Sequence, residues 1–278
     1  MDRGVSMKKR FSFMTLLFLL VVSVACSNQQ NTDQSTEKKE IERVSENKEN
    51  VELTISAAAS LKDAMELIQS IYEEEHPEIK LKFNFGGSGS LQQQISQGAP
   101  VDLFFSAAEE KLDLLVDSGD ISEKDGVDLL GNELVLVVPK EQSSITRFQD
   151  LAKDDVDKIS IGIPESVPAG KYAKESLEKT GLWGSVEGKV VYAKDVRQVL
   201  TYVETGNVAA GIAYKTDALV SDKVNIVATA EPETHTPIIY PVGIIKSSKY
   251  YDAAKDFYNF LQSDAALKTF AEYGFTTR

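Results

Sequence analysis

Side chains that usually bind metals or form disulfides are scarce in this sequence. Its 278 residues include a single cysteine, Cys26, and two histidines, His76 and His235. One cysteine excludes an internal disulfide and a metal cluster held by several cysteines. With only two histidines, the chain is a poor fit to a histidine-rich metal site or to an ordinary Ser-His-Asp hydrolase.

Positive charge is also in deficit. Lys and Arg together number 30 against 43 Asp and Glu, which gives a formal net charge of −13. An acidic chain repels the phosphate backbone, so general binding of nucleic acid is not expected. Apolar residues make up 42% of the chain and charged residues 26%, which is typical of a soluble globular protein. The length suffices for one large domain or two ordinary ones.

The N-terminus has the features of an export signal. The basic stretch Met7-Lys8-Lys9-Arg10 precedes an apolar run over residues 11–25, which ends at Cys26. This pattern is typical of a secretory signal, and the run is shorter than the about 20 residues that a membrane-spanning helix needs. We predict that residues 1–25 are a signal peptide, with Met7 as an alternative start to Met1.

A lipid anchor and a polar tether are predicted to follow. Residues 23–26, Ser-Val-Ala-Cys, resemble the lipobox of bacterial lipoproteins, whose cysteine becomes the first mature residue and carries lipid, although Ser23 stands where Leu is usual. An ordinary signal with an unrelated cysteine is the alternative. Residues 27–50 contain only two aliphatic side chains, Ile41 and Val44. They cannot offset the entropy of ordering, so we predict that residues 26–50 are the anchor cysteine and a disordered tether.

From residue 51 onward, short β-rich runs alternate with helical periodicity. This alternation predicts an α/β protein whose sheets are mainly parallel and flanked by helices. Ligands of such folds bind at the carboxyl ends of strands, where helices begin. The predicted strands cover residues 51–57, 79–85, 102–106, 134–138, 159–163, 189–193, 208–213, 224–228 and 238–245. The predicted helices cover residues 61–75, 90–97, 109–117, 171–179, 196–204, 249–262 and 264–272.

Two strand-to-helix turns near the start of this body are rich in small and hydroxyl residues. Residues 56–61 read Ser-Ala-Ala-Ala-Ser-Leu, and Ser60 stands three residues before Asp63, which also fits a plain helix cap. Residues 85–91 read Phe-Gly-Gly-Ser-Gly-Ser-Leu. Their glycines let main-chain amides turn inward to cradle an anion, while Ser88 and Ser90 add hydroxyls. A flexible turn is the alternative for this second segment.

Three later turns offer donors of the same kind. Ala169 lies between a proline and a glycine, so its N–H is free where a helix begins. Val196 opens another helix, and Tyr214 brings a hydroxyl to a strand end. The simpler interpretations are a proline-shaped helix start, ordinary capping and aromatic packing. Together, backbone N–H, Ser and Tyr donors suit a small, fully deprotonated oxyanion, which only accepts hydrogen bonds.

Several segments resemble the molybdate-binding proteins of bacterial ABC importers, which are periplasmic binding proteins. They span residues 51–278 in the order found in that family. The resemblance implies a two-lobed α/β fold of type II, with residues 51–131 plus 238–278 in one lobe, residues 132–237 in the other and the ligand in the cleft between them. The resembling segments cover residues 57–61 (Ala-Ala-Ala-Ser-Leu), 98–104, 130–132 (Leu-Gly-Asn), 167–174 (Val-Pro-Ala-Gly-Lys-Tyr-Ala-Lys), 195–197 (Asp-Val-Arg) and 273–275.

The resemblance also implies the residues of the site. In that family two serine hydroxyls, main-chain amides and one tyrosine hold the oxyanion, which by position gives Ser60, Ser88, the N–H groups of Ala169 and Val196, and the hydroxyl of Tyr214. The second turn departs from the serine-rich pattern of the family, which leaves Ser90 as an alternative to Ser88. No cofactor and no direct ligand to a metal cation are implied, because the molybdenum is bound as its oxyanion.

The implied function is high-affinity capture of molybdate, or of tungstate, outside the cell and delivery to an ABC permease with a cytoplasmic ATPase, by hinge closure around the ion. A monomer is implied, held by its lipid anchor alone on the outer side of the cell membrane, at the extracellular face or in the periplasm. Three alternatives stay open. They are a binding protein for sulfate, thiosulfate or a small carboxylate, a surface-anchored hydrolase that uses Ser60 or Ser88, and a purely structural surface lipoprotein.

Overall fold

A computed structural model describes residues 50–141 and 144–278. The predicted signal peptide, the anchor cysteine Cys26 and nearly all of the predicted tether lie outside the described residues. Within the described ranges, no helix has both the length and the apolar character needed to cross a membrane.

The strands of the described residues form two sheets, and the first has six strands, in the spatial order β11-β4-β10-β3-β1-β2. We call it the six-stranded sheet, and it draws its strands from residues 51–131 and 239–277. Its strands are β1 (Val51–Ala58), β2 (Ile79–Gly86), β3 (Leu103–Phe105), β4 (Ile121–Gly131), β10 (Ile239–Ile245) and β11 (Thr276–Thr277).

The second sheet has five strands, in the order β7-β6-β8-β5-β9. This five-stranded sheet draws its strands from residues 134–229. Its central part is fully apolar, because residues 134–138 are all 0% exposed. Its strands are β5 (Leu134–Pro139), β6 (Ile159–Gly162), β7 (Val190–Ala193), β8 (Ala210–Tyr214) and β9 (Val224–Thr229).

Helices flank both sheets. Among the described residues, five α-helices pack around the six-stranded sheet and three around the five-stranded sheet, where a fourth, short helix packs on one of these three. The first group is α1 (Lys62–Glu75), α2 (Ser88–Ser96), α3 (Glu109–Asp117), α8 (Tyr251–Leu261) and α9 (Asp264–Glu272). The second group is α4 (Pro168–Lys179), α5 (Trp183–Val186), α6 (Val196–Glu204) and α7 (Lys215–Leu219).

Both sheets are mixed, which corrects the prediction of mainly parallel sheets. In the six-stranded sheet β1 pairs in parallel with β2 and β3, whereas β10 pairs antiparallel with β3 and β4. In the five-stranded sheet β6 pairs in parallel with β7 and β8, whereas β5 runs antiparallel to β8 and β9. Parallel pairs need a helical crossover. The antiparallel strands β4, β5 and β10 instead adjoin the two places where the chain passes from one sheet to the other.

The parallel register brings the predicted turns to common edges. Ala58 at the end of β1 lies opposite Gly86 at the end of β2, so the turns that follow these two strands are neighbours. Gly162 at the end of β6 likewise lies opposite Ala193 at the end of β7. The fold therefore groups the donor-rich turns at the carboxyl edges of the two sheets, as the sequence predicts.

Candidate functional site

One small cavity is lined by residues of both sheets' carboxyl edges. The space open to the centre of a water-sized sphere is only about 10 Å³, which is near the minimum that one water molecule needs. The cavity therefore has room for a small guest at most. The lining residues are Ala58, Ala59, Ser60, Gly86, Gly87, Ser88, Ala107, Val167, Pro168, Ala169, Val196 and Tyr214. All five residues predicted as the site are among them.

Ser60 reaches the cavity from the start of the helical segment after β1. It lies in a short 3₁₀ turn, Ala59–Leu61, that leads into α1, and the N-cap positions of this turn and of α1 are held by Ala58 and Leu61 instead. The alternative of a plain helix cap is therefore wrong. Its Oγ instead lies 2.9 Å from the hydroxyl oxygen of Tyr240 on β10, which holds the serine at the cavity wall.

Ser88 is the first residue of α2 and is completely buried. Its Oγ accepts a hydrogen bond from the backbone N–H of Ala107 at 2.9 Å, so its own hydroxyl hydrogen is free for another acceptor. Ser88 is among the residues that line the cavity, and its alternative Ser90 is not. The N–H of Gly89 is not turned into the cavity, because it donates to the carbonyl oxygen of Ser166 at 2.9 Å.

Ala169 and Val196 lie at the beginnings of two helices of the five-stranded sheet. Ala169 is the second residue of α4, and Val196 is the first residue of α6. The first N–H groups of a helix have no intrahelical acceptor, and the helix dipole adds partial positive charge there. Asp195 caps α6 by accepting from the N–H of Gln198 at 2.8 Å, and this cap does not involve the N–H of Val196.

Tyr214 supplies a buried hydroxyl from the end of β8. The residue is 1% exposed, and within the described ranges its hydroxyl has no hydrogen-bond partner. Burial raises the pKa of Tyr214 well above 10, so the group stays a neutral donor at physiological pH. An unpaired buried hydroxyl costs about 1–3 kcal/mol, which a bound acceptor would recover.

The cavity wall holds neutral donors and no charged side chain. None of its lining residues is Asp, Glu, His, Lys or Arg. His76 stacks on Tyr72 and His235 lies near Tyr172, and neither lines the cavity. The wall therefore offers no base beside Ser60 or Ser88, as a serine hydrolase would require. In the described parts of the chain, no group of three or more His, Cys, Asp or Glu residues could hold a metal ion.

A larger surface recess lies elsewhere, beside Asp102 and Ser248. The Asp102 carboxylate accepts from the N–H of Thr54 at 2.7 Å and from the hydroxyl of Ser248 at 2.6 Å. These bonds occupy the Asp102 carboxylate within the fold, and none of the described buried side-chain atoms without a hydrogen-bond partner belongs to a residue that lines this recess.

Helices that flank one sheet form ion pairs with helices that flank the other sheet, around the cavity. Lys171 on α4 pairs with Glu110 on α3 at 2.5 Å. Arg197 on α6 pairs with Asp63 on α1, and its Nε lies 2.8 Å from Asp217 on α7. These contacts enclose the space between the donor-rich turns.

Sequence reasoning missed the residues behind the cavity wall. Tyr240 contacts Ser60, and Asn132 in turn contacts Tyr240 at 3.1 Å. Ala107 both lines the cavity and donates to Ser88. The resembling segment 130–132 contains Asn132, but no motif in the sequence links it to Tyr240, which lies 108 residues away.

The chain is similar to known solute-binding proteins along nearly its whole length. A Bacillus subtilis (strain 168) protein, YvgL, provisionally named an ABC transporter substrate-binding lipoprotein, is 56% identical over 97% of this chain and 99% of its own. The molybdate-binding protein ModA of Haemophilus influenzae (strain ATCC 51907 / DSM 11121 / KW20 / Rd) is 37% identical over 81% of this chain and 90% of its own.

Solved structures show the same architecture. The substrate-binding domain of a provisionally assigned molybdenum ABC transporter from Clostridium difficile is 45% identical, with a TM-score of 0.64 over 82% of this chain and 99% of its own. The periplasmic molybdate-binding protein of Azotobacter vinelandii is 21% identical, with a TM-score of 0.74 over 81% of this chain and 98% of its own. The sulfate-binding protein SubI of Mycobacterium tuberculosis H37Rv is 18% identical, with a TM-score of 0.69 over 81% of this chain and 86% of its own. The last two likenesses show the fold alone.

These likenesses agree with the two helix-flanked sheets and confirm the predicted periplasmic-binding-protein fold of type II. The sequence profile described as "Bacterial extracellular solute-binding protein" matches residues 53–276. That match covers most of the chain and both sheets. The chain therefore belongs to the family of bacterial extracellular solute-binding proteins.

Proposed function

We propose that the protein captures molybdate, and tungstate in the same way, outside the cell and delivers it to an ABC importer. The observation that carries this proposal is the buried, unpaired hydroxyl of Tyr214, a residue that lines the same small cavity as Ser60, Ser88 and two helix N-termini. This arrangement is a binding site, and no residue of the cavity wall is assigned a catalytic role.

The donor set favours a dianion that carries no hydrogen. Three hydroxyls and the N–H groups of Ala169 and Val196 can all donate, and the wall has no carboxylate to accept a proton from the ligand. Hydrogen bonds to a charged group contribute about 1.5–3 kcal/mol each, so several together support tight binding after the cost of desolvation. Because the chain's net charge is −13, affinity must come from these local donors and not from long-range attraction.

The proposed mechanism is capture by closure. The ion first meets the hydroxyls beside the six-stranded sheet, and a hinge motion then brings the starts of α4 and α6 onto it. Water leaves the cavity, so each hydrogen bond acts in a lower dielectric. The contacts between Lys171 and Glu110 and between Arg197 and Asp63 are those that closure would form.

Delivery and anchoring rest on the relatives. The names of the similar proteins refer to ABC transporters, to a lipoprotein and to molybdate binding. On this basis we propose a monomer that is tethered through lipid on Cys26 and docks on a membrane permease with a cytoplasmic ATPase. Replacing Cys26 with serine should release the exported protein into the soluble extracellular or periplasmic fraction, and mass spectrometry of the wild-type protein should detect the lipid.

A competition titration of the purified mature protein tests the ligand. Calorimetry with molybdate, tungstate, sulfate and thiosulfate should give the tightest binding for molybdate and tungstate, and saturating molybdate should raise the melting temperature. A shift with sulfate but none with molybdate or tungstate would assign the protein to sulfate. Turnover of ester substrates that a serine-directed inhibitor blocks would support the hydrolase instead.

A further inference from the structure

A chain of hydrogen bonds runs behind Ser60, away from the cavity. Asn132 lies directly after β4, where the chain passes from the six-stranded to the five-stranded sheet. Its side-chain nitrogen lies 3.1 Å from the hydroxyl oxygen of Tyr240, and that oxygen lies 2.9 Å from the Oγ of Ser60. Tyr240 is 0% exposed and Ser60 4%, so the bond between them is shielded from water, while Asn132 is half-buried.

The direction of the first bond is fixed by the backbone. The N–H of Glu133 donates to Oδ1 of Asn132 at 2.9 Å. An N–H can only donate, so this contact identifies which side-chain atom of Asn132 is the oxygen. The NH₂ group then lies on the other side, where it donates to Oγ1 of Thr216 at 2.9 Å and to Tyr240. An amide NH₂ has two hydrogens, and both are used.

The direction of the second bond follows from where the hydrogen of Tyr240 can go. By distance alone either hydroxyl could donate, because the Tyr240 oxygen can accept from both Asn132 and Ser60. If Ser60 donated, the hydrogen of Tyr240 would be buried without an acceptor among the described residues, which costs free energy, so Tyr240 is assigned as the donor. Burial raises the pKa of Tyr240 well above 10, so the hydroxyl keeps this hydrogen. Within the described residues, Ser60 Oγ has no hydrogen-bond partner besides Tyr240. The hydrogen of Ser60 is therefore left for a ligand in the cavity.

We propose that Asn132 and Tyr240 determine specificity, because they fix the Ser60 hydroxyl as a donor and so favour a fully deprotonated oxyanion over a protonated one of similar size. The inference deepens the proposed function and rests on it. Ser88 is also fixed as a donor to the cavity, but by a different group, because its Oγ accepts from the N–H of Ala107. A protonated ligand needs an acceptor for its own O–H. If Ser60 accepted that bond, the hydrogen of Ser60 would be buried without a partner, which would lower the affinity.

The first test measures selectivity. Tyr240→Phe keeps the ring but removes the hydroxyl, so Ser60 becomes free to accept from a ligand. The probes are inorganic phosphate, which carries a proton at neutral pH, and whichever of molybdate, tungstate or sulfate the wild type binds most tightly. We expect the ratio of dianion to phosphate affinity to fall by about tenfold, with a larger fall at pH 6 than at pH 8. Thr216→Val is the matched control, because it removes the other acceptor of Asn132, and its ratio should stay within about twofold of wild type.

The second test reverses the direction of the hydrogen bonds from Asn132 through Tyr240 to Ser60. Asn132→Asp introduces a carboxylate that accepts from Tyr240, so Tyr240 would accept from Ser60 and the lone pairs of Ser60 would face the anion. The added charge also repels the ligand directly. Introducing Asn132→Asp into the Tyr240→Phe background isolates that direct effect. In this background the added charge remains, while the hydrogen bonds through the Tyr240 hydroxyl are absent. We expect the loss of dianion affinity caused by Asn132→Asp to be about tenfold larger in the wild-type background.

The outcomes distinguish a failure of the Asn132–Tyr240–Ser60 hydrogen-bond chain, called the relay below, from a failure of the proposed function on which it rests. Circular dichroism and melting temperature first establish that each variant is folded. If the wild type binds none of the dianions, the proposed function fails and the relay with it. If the wild type binds one of them, an unchanged selectivity ratio in Tyr240→Phe together with equal losses from Asn132→Asp in both backgrounds overturns the relay alone. A Tyr240→Phe variant that loses affinity equally for dianion and phosphate, with no change in pH profile, also overturns it.

Discussion

Gly89 donates its backbone N–H to the carbonyl oxygen of Ser166 at 2.9 Å, and this bond joins the surroundings of the two sheets beside the cavity. A Cβ at Gly89 would lie 2.8 Å from Cα of Ser166, and one at Gly87 would lie 2.8 Å from the Ser166 carbonyl oxygen and 3.0 Å from that of Lys194. Both glycines therefore permit two backbones to approach closely. The Gly-Gly-Ser-Gly sequence thus serves the contact between the sheets as well as the position of Ser88.

We expect Gly89→Ala to weaken ligand binding more than it weakens the fold. The added methyl group meets backbone only when the two sides are in contact, and overpacking of this kind costs about 1–3 kcal/mol, or roughly 5- to 150-fold in Kd. Calorimetry gives the affinity, and the melting temperature without ligand gives the stability. Gly184→Ala is the control, because a Cβ there meets nothing within 4 Å. Unchanged affinity in Gly89→Ala would show that binding does not need this contact.

Asp63 and Arg197 form the other test of closure. Asp63 lies in the first turn of α1, and Arg197 follows the cavity residue Val196 on α6. The pair is partly exposed, so its loss in Asp63→Asn should cost about 1 kcal/mol, or about fivefold in Kd, mainly through faster release of the ligand. Stopped-flow measurement of dissociation at low and high salt checks this, because screening should reduce the difference from wild type.

The matched control for this pair lies on the same helix. Lys62 and Glu66 form an exposed pair on α1 with both side chains about half accessible, at 46% and 50%. Lys62→Gln should leave the dissociation rate within about twofold of wild type. Equal effects of Asp63→Asn and Lys62→Gln would show that only the general charge of the helix matters.

Most strands and helices of the body could be predicted from local patterns. The predicted strand over residues 51–57 and the predicted helix over residues 109–117 agree with the structure to within a residue. The strand β4 (Ile121–Gly131) was missed, because its sequence Ile-Ser-Glu-Lys-Asp-Gly-Val-Asp-Leu-Leu-Gly has no regular apolar alternation. It is held in place by pairing with β10 through two register shifts, and such long-range pairing leaves no signal in a local window.

The candidate site could be predicted only in part, because some of its contacts also depend on long-range pairing. Turns after parallel strands meet at one edge, so residues such as Ser60 and Ser88 could be grouped from their positions alone. The partners behind them could not. Tyr240 reads as one more residue of a β-rich run, and only the pairing of β10 with its neighbours brings it to Ser60. The direction of a hydroxyl hydrogen depends on such distant partners.

Alanine substitutions should distinguish Ser88 from Ser90. Ser88→Ala removes a donor to a charged ligand, which should cost about 1.5–3 kcal/mol, or roughly 10- to 150-fold in Kd. Ser90 lies two residues later on α2 and does not line the cavity, so Ser90→Ala serves as the control and should bind like wild type. Calorimetry with the preferred oxyanion measures both. Weaker binding in Ser90→Ala with normal binding in Ser88→Ala would transfer the role to Ser90.

The stability of the fold should carry a pH dependence from Asp217. Its side chain is 0% exposed, and burial raises its pKa from 3.8 to about 7, although the nearby Arg197 opposes this and Asp195 adds to it. The folded protein therefore binds this proton more tightly than the unfolded chain. The group's contribution to the free energy of unfolding is complete below about pH 4 and is lost as the pH rises to about 7.

Asp217→Asn removes this loss, because an amide does not ionise. The melting temperature of the variant relative to wild type should therefore rise steadily between pH 4 and pH 7 and stay level above that. The difference between the two proteins is the quantity to measure, since other carboxylates titrate in both. Asp155→Asn provides the control, because Asp155 is exposed, and its difference from wild type should show no such trend. A difference that is flat for Asp217→Asn across the same range would mean that Arg197 keeps the carboxylate ionised throughout.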